Sequence, residues 1–313
     1  MLLSSVREVK ARIAMDPEWI RSRGEGATHM AVGVAIGDRP DAYRVAVRAA
    51  DPGSVDQELL DRIRAEAKEE VDLQYTGPLR MERAEGTVPR KRLEIGASIG
   101  HYTCSAGTIG FFARRNAGGA VGLVSNNHVI AAQDCGEEND EILHPAPADH
   151  GSSPNDVVAY LAGDYPRLQD RNQTVDCAFA RLAHGTYGDA MSLGATERLQ
   201  NTIAIAEKYL QVEKIGRTTG RTAGRITAID IDFFDVQYSF GYVSFFDQIE
   251  IEAVSVTPFC RPGDSGSLVF TRDREPLGLL FLATRAGGAF NCGRGYANPI
   301  ANVLRSLDVT FAS

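Results

Sequence analysis

Late in the chain, Pro262-Gly263-Asp264-Ser265-Gly266-Ser267 lies between the apolar stretches 254–256 and 268–270, and it restricts the fold more than any other segment. A serine set between glycines, directly ahead of a strand-like run, requires a tight loop feeding a strand. Gly263 lets the backbone turn so that its own N–H and that of Ser265 point at one spot. Gly266 leaves room for a carbonyl group to approach the hydroxyl. A hydroxyl beside convergent amide donors is what acyl transfer needs, because negative charge grows on the carbonyl oxygen during attack. Taken alone, the same six residues are equally compatible with an ordinary turn.

Two other segments supply what such a serine lacks. His128 follows the apolar run 121–124, and Asp176 opens the apolar run 177–180. A serine hydroxyl is too weakly acidic to attack at neutral pH. It needs an imidazole to take its proton, and the imidazole needs a carboxylate to fix its tautomer. Asp156, Asp164 and Asp170 compete for the carboxylate role. Asp156 and Asp164 flank the run 157–161, where they read as ordinary turn residues.

The segments SNNHVI (125–130), VDCAFA (175–180) and PGDSGS (262–267), in the order His, Asp, Ser, resemble the three motifs of the trypsin-like (chymotrypsin-superfamily) serine proteases. The first is similar to the histidine motif of the bacterial HtrA-like and glutamyl-endopeptidase-like branches. The core Gly216-Arg217-Thr218-Thr219-Gly220 resembles a recurrent motif of the same bacterial proteases. The resemblance runs from about residue 93 to the C-terminus. It implies two antiparallel six-stranded β-barrels with His128, Asp176 and Ser265 at their junction. It further implies an oxyanion hole from the Gly263 and Ser265 amides, protein or peptide substrates, and no metal or organic cofactor. Two regions would shape the substrate side-chain pocket: Phe259-Cys260-Arg261, and Phe281-Leu282-Ala283 on the strand-like run 276–283. Phe259 stands where trypsin's specificity aspartate would fall, so a preference for Arg or Lys does not carry over. Phe281 replaces a small serine of the family. The competing reading is a trypsin-fold pseudo-enzyme serving as a binding or regulatory module, although such proteins generally lose a triad residue or a nucleophile-loop glycine.

The first 92 residues have a different character. Apolar residues at 6, 9 and 13 recur near helical spacing, and a second helical start is expected after Asp16-Pro17. Strand-like runs at 29–36 and 43–48 follow, the second alternating so that one face is polar. A helix over 55–70, with Ser54 as N-cap, leads into a third strand at 71–75. This β-β-α-β pattern predicts a small α+β module (residues 1–92 with its linker), separate from the protease-like part (93–313) and detachable from it. The module carries no convincing catalytic set, so its expected role is contact with a regulatory partner. Its resemblance to the leader region of plant NARROW LEAF-type relatives is slight. The polar stretch 134–150 reads as a solvated loop, the arginine-containing turn 217–219 as a barrel turn, and 233–246 as a long hairpin or surface loop.

Composition narrows the setting. A net charge of −8 over 313 residues argues against a general grip on nucleic acid. No apolar run reaches the roughly 18 residues of a membrane span, and the N-terminal residues lack the pattern of an export signal. Five cysteines cannot all pair within one chain, and Cys177 and Cys260 read as small core residues. A reducing, cytoplasmic location is the expectation.

Overall fold

The structure, a computed structural model, describes residues 1–16, 30–37, 42–77, 93–104, 106–170, 172–194, 196–207 and 209–312. Helix α1 (Leu3–Ala14) buries Val6, Val9 and Ile13 along one stripe, as their spacing requires. It is followed by β1 (Met30–Ile36), β2 (Tyr43–Ala49), helix α2 (Gln57–Glu66) and β3 (Val71–Tyr75). The cap of α2 is Asp56 rather than Ser54: its carboxylate accepts the Leu59 N–H at 3.0 Å, while Ser54 ends a preceding 3₁₀ turn. An anion at that end also meets the positive pole of the helix. The second helical start and the linker fall in 17–29 and 78–92, outside the described residues.

The next strands are β4 (Ser98–His101), β5 (Gly107–Thr108), β6 (Phe111–Arg115), β7 (Val121–Ser125), β8 (Glu141–Leu143), β9 (Val157–Leu161) and β10 (Ala178–Leu182). Between β7 and β8 comes the one-turn helix α3 (Asn127–Ile130). The remainder holds β11 (Gln211–Gly216), β12 (Gly220–Tyr238), β13 (Gly241–Ala253), β14 (Leu268–Thr271), β15 (Pro276–Ala283) and β16 (Arg294–Pro299). Helix α4 (Ile300–Leu307) and β17 (Val309–Phe311) close the chain.

Strands β11, β14, β15, β16, β13 and β12 pair in that order, and β12 returns to β11, which closes a six-stranded antiparallel barrel. The other sheet runs β17-β6-β7-β10-β9-β8-β4-β5. The final strand therefore crosses back from the second barrel to the first. Phe111, Phe112, Leu123 and Phe179 of the first sheet share one core with Leu268, Phe270 and Leu279 of the second barrel and with Ile300 and Val303 of α4. That shared core holds the junction between the barrels rigid.

The N-terminal strands are not a separate layer. Strand β1 pairs antiparallel with β12, with Ala31 opposite Phe233 and Ala35 opposite Ala228, so β1-β2-β3 extends the second barrel's sheet to nine strands. The 19-residue β12 makes this possible, since its first part lines the barrel and its later part projects beyond it. Register shifts along β12 and β13 let the pair bend away from the barrel. Val6, Val32, Val47 and Leu60 pack in one cluster with Ile226, Ile251 and Leu280 of the barrel.

The polar face expected on β2 is covered at Arg48, while Arg44 on the same face stays exposed. Arg48 is 2% exposed, and its Nε and Nη2 donate to the two oxygens of Glu250 on β13 at 2.7 and 3.0 Å. Asp72 and Arg294 complete the network. Burial alone would push the Glu250 carboxyl up, but the Arg48 and Arg294 guanidiniums outweigh it and hold the group down at about 2. A charge pair of this depth is stable only while both partners stay, so Arg48 and Glu250 tie module and barrel together.

Candidate active site

Strand β7 ends at Ser125, and the chain turns directly into α3, which carries His128. Asp176 lies two residues ahead of β10, which pairs with β7 through Ala178 opposite Ser125. That register brings the two side chains together. His128 Nδ1 lies 2.5 Å from Asp176 Oδ2, and the His128 backbone N–H donates to Oδ1 at 3.2 Å. Asp176 is fully buried, so its charge must be met by donors on every side. A third donor is the hydroxyl of Tyr238, 2.7 Å from Oδ2. The backbone is also held: Asn126 Nδ2 donates to the Asp176 carbonyl at 2.6 Å, and the Asp176 N–H donates to Asn298 Oδ1 at 3.0 Å.

The competing aspartates are elsewhere. Asp156 accepts the Ser152 N–H at 2.8 Å in its own loop. Asp164 is exposed and pairs with Arg115. Asp170 contributes its N–H to a turn with Arg167.

The loop carrying Ser265 is pressed against the His128 segment. A Cβ on Gly107 would stand 2.5 Å from Val129 and 2.9 Å from the Ser265 carbonyl oxygen, and one on Gly266 would stand 2.2 Å from Ser125 Oγ. Gly266 also has φ +93° and Gly263 φ +90°, conformations that exact a strain from any other residue. From Arg261 to Ser267, the N–H groups of Arg261, Asp264, Gly266 and Ser267 each have a protein acceptor. Those of Gly263 and Ser265 have none among the described residues. Ser265 is half-buried, and its hydroxyl has no hydrogen-bond partner among the described residues. The loop thus presents a hydroxyl and two amide donors without partners among the described residues.

Asp264 holds the loop's shape from below. Its carboxylate accepts the N–H groups of Thr218, Thr219 and Arg261 at 2.9, 3.1 and 2.9 Å, and the Thr219 hydroxyl at 2.7 Å. Lys214 Nζ, fully buried, lies 3.2 Å away. Burial pushes the Lys214 ammonium down and the Asp264 charge pulls it back. An internal lysine thus meets the Asp264 charge. The turn 217–219 therefore joins two strands, as its sequence implies, and also cradles the Ser265 loop. Its Arg217 reaches Asp149 with Nε at 2.7 Å, so part of the supposedly solvated stretch 134–150 is a buried anchor: Asp149 is 3% exposed and His144 is 8% exposed. Alternation along β11 carries a signal for Lys214, because positions 212, 214 and 216 all face inward. Replacing Lys214 by methionine would leave Asp264 charged, buried and short of a cation. Such a loss costs about 3–5 kcal/mol. A lower melting temperature with proteolytic nicking near residues 261–266 is the expected result, and a variant that melts like the parent would refute it.

Of the residues expected at the substrate pocket, Phe259, Cys260, Phe281 and Leu282 are buried, Ala283 is half-buried and Arg261 is exposed. Phe259 fills the space that Gly224 and Gly295 leave open, and the Phe281 ring packs on Phe245 with centroids 4.9 Å apart. All five cysteines are free, with Cys177 and Cys260 buried as core residues. Among the described residues no helix is long and apolar enough to cross a membrane.

No family model matches the sequence. The chain is 28% identical over 222 residues to Protein NARROW LEAF 1 of Oryza sativa subsp. japonica, a match covering 60% of this chain and 35% of the rice protein. The chain thus spans about a third of that relative's length. Thermobifida fusca Protease A superposes with a TM-score of 0.50 at 19% identity, covering 71% of this chain and all of that one. A glutamic-acid-specific serine protease superposes with a TM-score of 0.50 at 22% identity, covering 70% of this chain and 99% of that one. At these identities the likeness is one of fold: the chain has the fold of the trypsin-like serine proteases.

Proposed function

We propose that this chain is a serine endopeptidase acting through an acyl-enzyme on Ser265. The observation that carries the reading is the Asp176 carboxylate seated against His128 Nδ1 at 2.5 Å, beside a loop whose Gly263 and Ser265 amides are unpartnered among the described residues. In the first half-reaction Ser265 Oγ attacks the scissile carbonyl while its proton passes to His128 Nε2. The oxyanion that forms is met by the two amides, and His128 then protonates the departing amine. In the second half, water attacks the ester with His128 again taking the proton, and the acid leaves. Asp176 holds the imidazole in the tautomer that exposes Nε2. The Ser265–His128 hydrogen bond forms when substrate closes the site, a tightening common to catalytic groups seen without ligand.

Substrates on this reading are proteins or peptides. The side-chain pocket would have an apolar floor from Phe259, Cys260, Phe281 and Leu282, with Arg261 and Ala283 at its accessible edge, and it would not select Arg or Lys. The second reading, a protease-fold binding module, is favoured by the Ser265 hydroxyl having no partner among the described residues. A fluorophosphonate probe separates the two. Labelling of Ser265, located by mass spectrometry and absent in Ser265→Ala, is expected; no labelling of the folded wild-type protein would favour the binding module.

A further inference from the structure

Tyr238 lies at the far end of β12, where Ser239 and Phe240 turn the chain into β13. It is 62 residues from Asp176, yet its hydroxyl donates to Asp176 Oδ2 at 2.7 Å. That oxygen also takes the bond from His128 Nδ1, while Oδ1 takes the His128 backbone N–H. The Tyr238 ring is 4% exposed and is gripped on several sides. It stacks on Phe240 at 5.8 Å, meets Phe245 at 6.1 Å, and stands edge-on to the His128 imidazole at 6.4 Å. Phe245 in turn packs on Phe281. Next to it, the Ser239 N–H donates to Gln133 Oε1 at 2.7 Å, which pins the hairpin tip to the segment following α3.

Resting on the protease reading above, we infer that Tyr238 is a positioning residue for the triad: its hydroxyl sets the rotation of the Asp176 carboxylate and thereby the orientation and tautomer of His128. His128 gives each oxygen one donor, its ring N–H to Oδ2 and its backbone N–H to Oδ1. Tyr238 adds a second donor to Oδ2 from a different strand, so a turn of the carboxylate about its Cβ–Cγ bond, which would spoil the Nδ1–H bond, has to break that contact as well. The hydroxyl can only donate here, since burial first, and then the Asp176 charge with a further contribution from Asp134, push its ionisation well above the ordinary tyrosine range.

The hairpin that delivers Tyr238 is held at its base by the N-terminal module. Strand β1 pairs with β12 at Phe233 and Asp232. Lys10 of α1 bridges to Asp232 at 2.9 Å and to Asp247 at 3.2 Å, and Arg7 reaches Asp230 at 2.6 Å. Helix α1 and strand β1 thus contribute to the triad's geometry without supplying a side chain to it.

The test is Tyr238→Phe in the full chain, which keeps the ring and removes only the donor. The turnover number should fall about 10- to 100-fold, the range for losing a hydrogen bond to a charged group, with KM changed less than about twofold. The acid limb of kcat/KM against pH should move to higher pH, because a carboxylate relieved of one donor draws more strongly on the imidazole proton. 3-Fluorotyrosine at position 238 makes the hydroxyl a stronger donor and should move the limb the opposite way. The downfield proton resonance of the His128–Asp176 hydrogen bond, assigned by its loss in His128→Ala, should shift in both variants, and this readout needs no turnover. Kinetics, pH limb and resonance all unchanged in a folded Tyr238→Phe would overturn the inference. So would a drop in activity accompanied only by a lower melting temperature. A wild-type protein with no hydrolysis whose resonance still shifts in both variants would retain the Tyr238 contact and remove the protease reading.

Discussion

Ser265→Ala is expected to abolish peptide hydrolysis, lowering turnover on the order of 10⁶-fold, while the melting temperature stays that of the parent. The two halves of this expectation come from the same loop. The Ser265 hydroxyl has no partner among the described residues, so its removal breaks no hydrogen bond in the folded chain. His128→Ala should lose as much activity. It should also cost stability, because a fully buried Asp176 then keeps the Tyr238 donor but loses that of the imidazole. A penalty of about 1–3 kcal/mol follows for a buried acceptor left short. The double variant should be no slower than either single one, since nucleophile and base act as one unit. Measurable turnover in purified Ser265→Ala would sink the assignment, and additive losses in the double variant would mean that the two side chains act separately.

Asp176→Asn should lower turnover on the order of 10⁴-fold, by analogy with the same substitution in a well-studied serine protease. The amide is the same size as the carboxylate but has one acceptor oxygen where the site offers three donors: the His128 ring, the His128 backbone N–H and the Tyr238 hydroxyl. An Asn NH₂ turned toward Nδ1 would select the wrong imidazole tautomer. The controls are Asp156→Asn and Asp164→Asn. Asp156 serves its own loop, and the Asp164 side chain is 70% exposed beside Arg115. An exposed pair of this kind is worth roughly 0–1 kcal/mol, and the position beside His128 Nδ1 is already filled by Asp176, so both controls should hydrolyse substrate at nearly the parental rate. If either control lost activity while Asp176→Asn kept it, the carboxylate beside His128 would be the wrong one.

The candidate site was legible in the sequence because the chemistry confines it to short segments. A base placed after an apolar strand, a carboxylate opening one, and a serine between glycines each announce themselves within six residues. The helix at the N-terminus was legible for a similar reason: Val6, Val9 and Ile13 have to share a stripe. Local pattern reached the inward face of β11 as well, yet it did not say that Lys214 would find Asp264 there. Its limit shows at α2, where the sequence pointed to Ser54 as the cap and the backbone path made Asp56 the cap instead.

Periodicity determines which residues turn inward, whereas the closure of the sheets decides what they meet. Nothing near Arg48 in sequence foretells Glu250, 202 residues away, so the alternation of β2 read as a solvated polar face. Nothing near Tyr238 foretells Asp176. Both contacts exist because β12 is long enough to leave the barrel and pair with β1, carrying a hairpin tip back over the triad. The residue types at the centre of the site were the sequence's own determination. The carboxylate's third donor, the cation beneath the Ser265 loop and the docking of the first strands on the barrel were decided by the tertiary structure, because each joins segments that only sheet pairing brings within 3 Å or so.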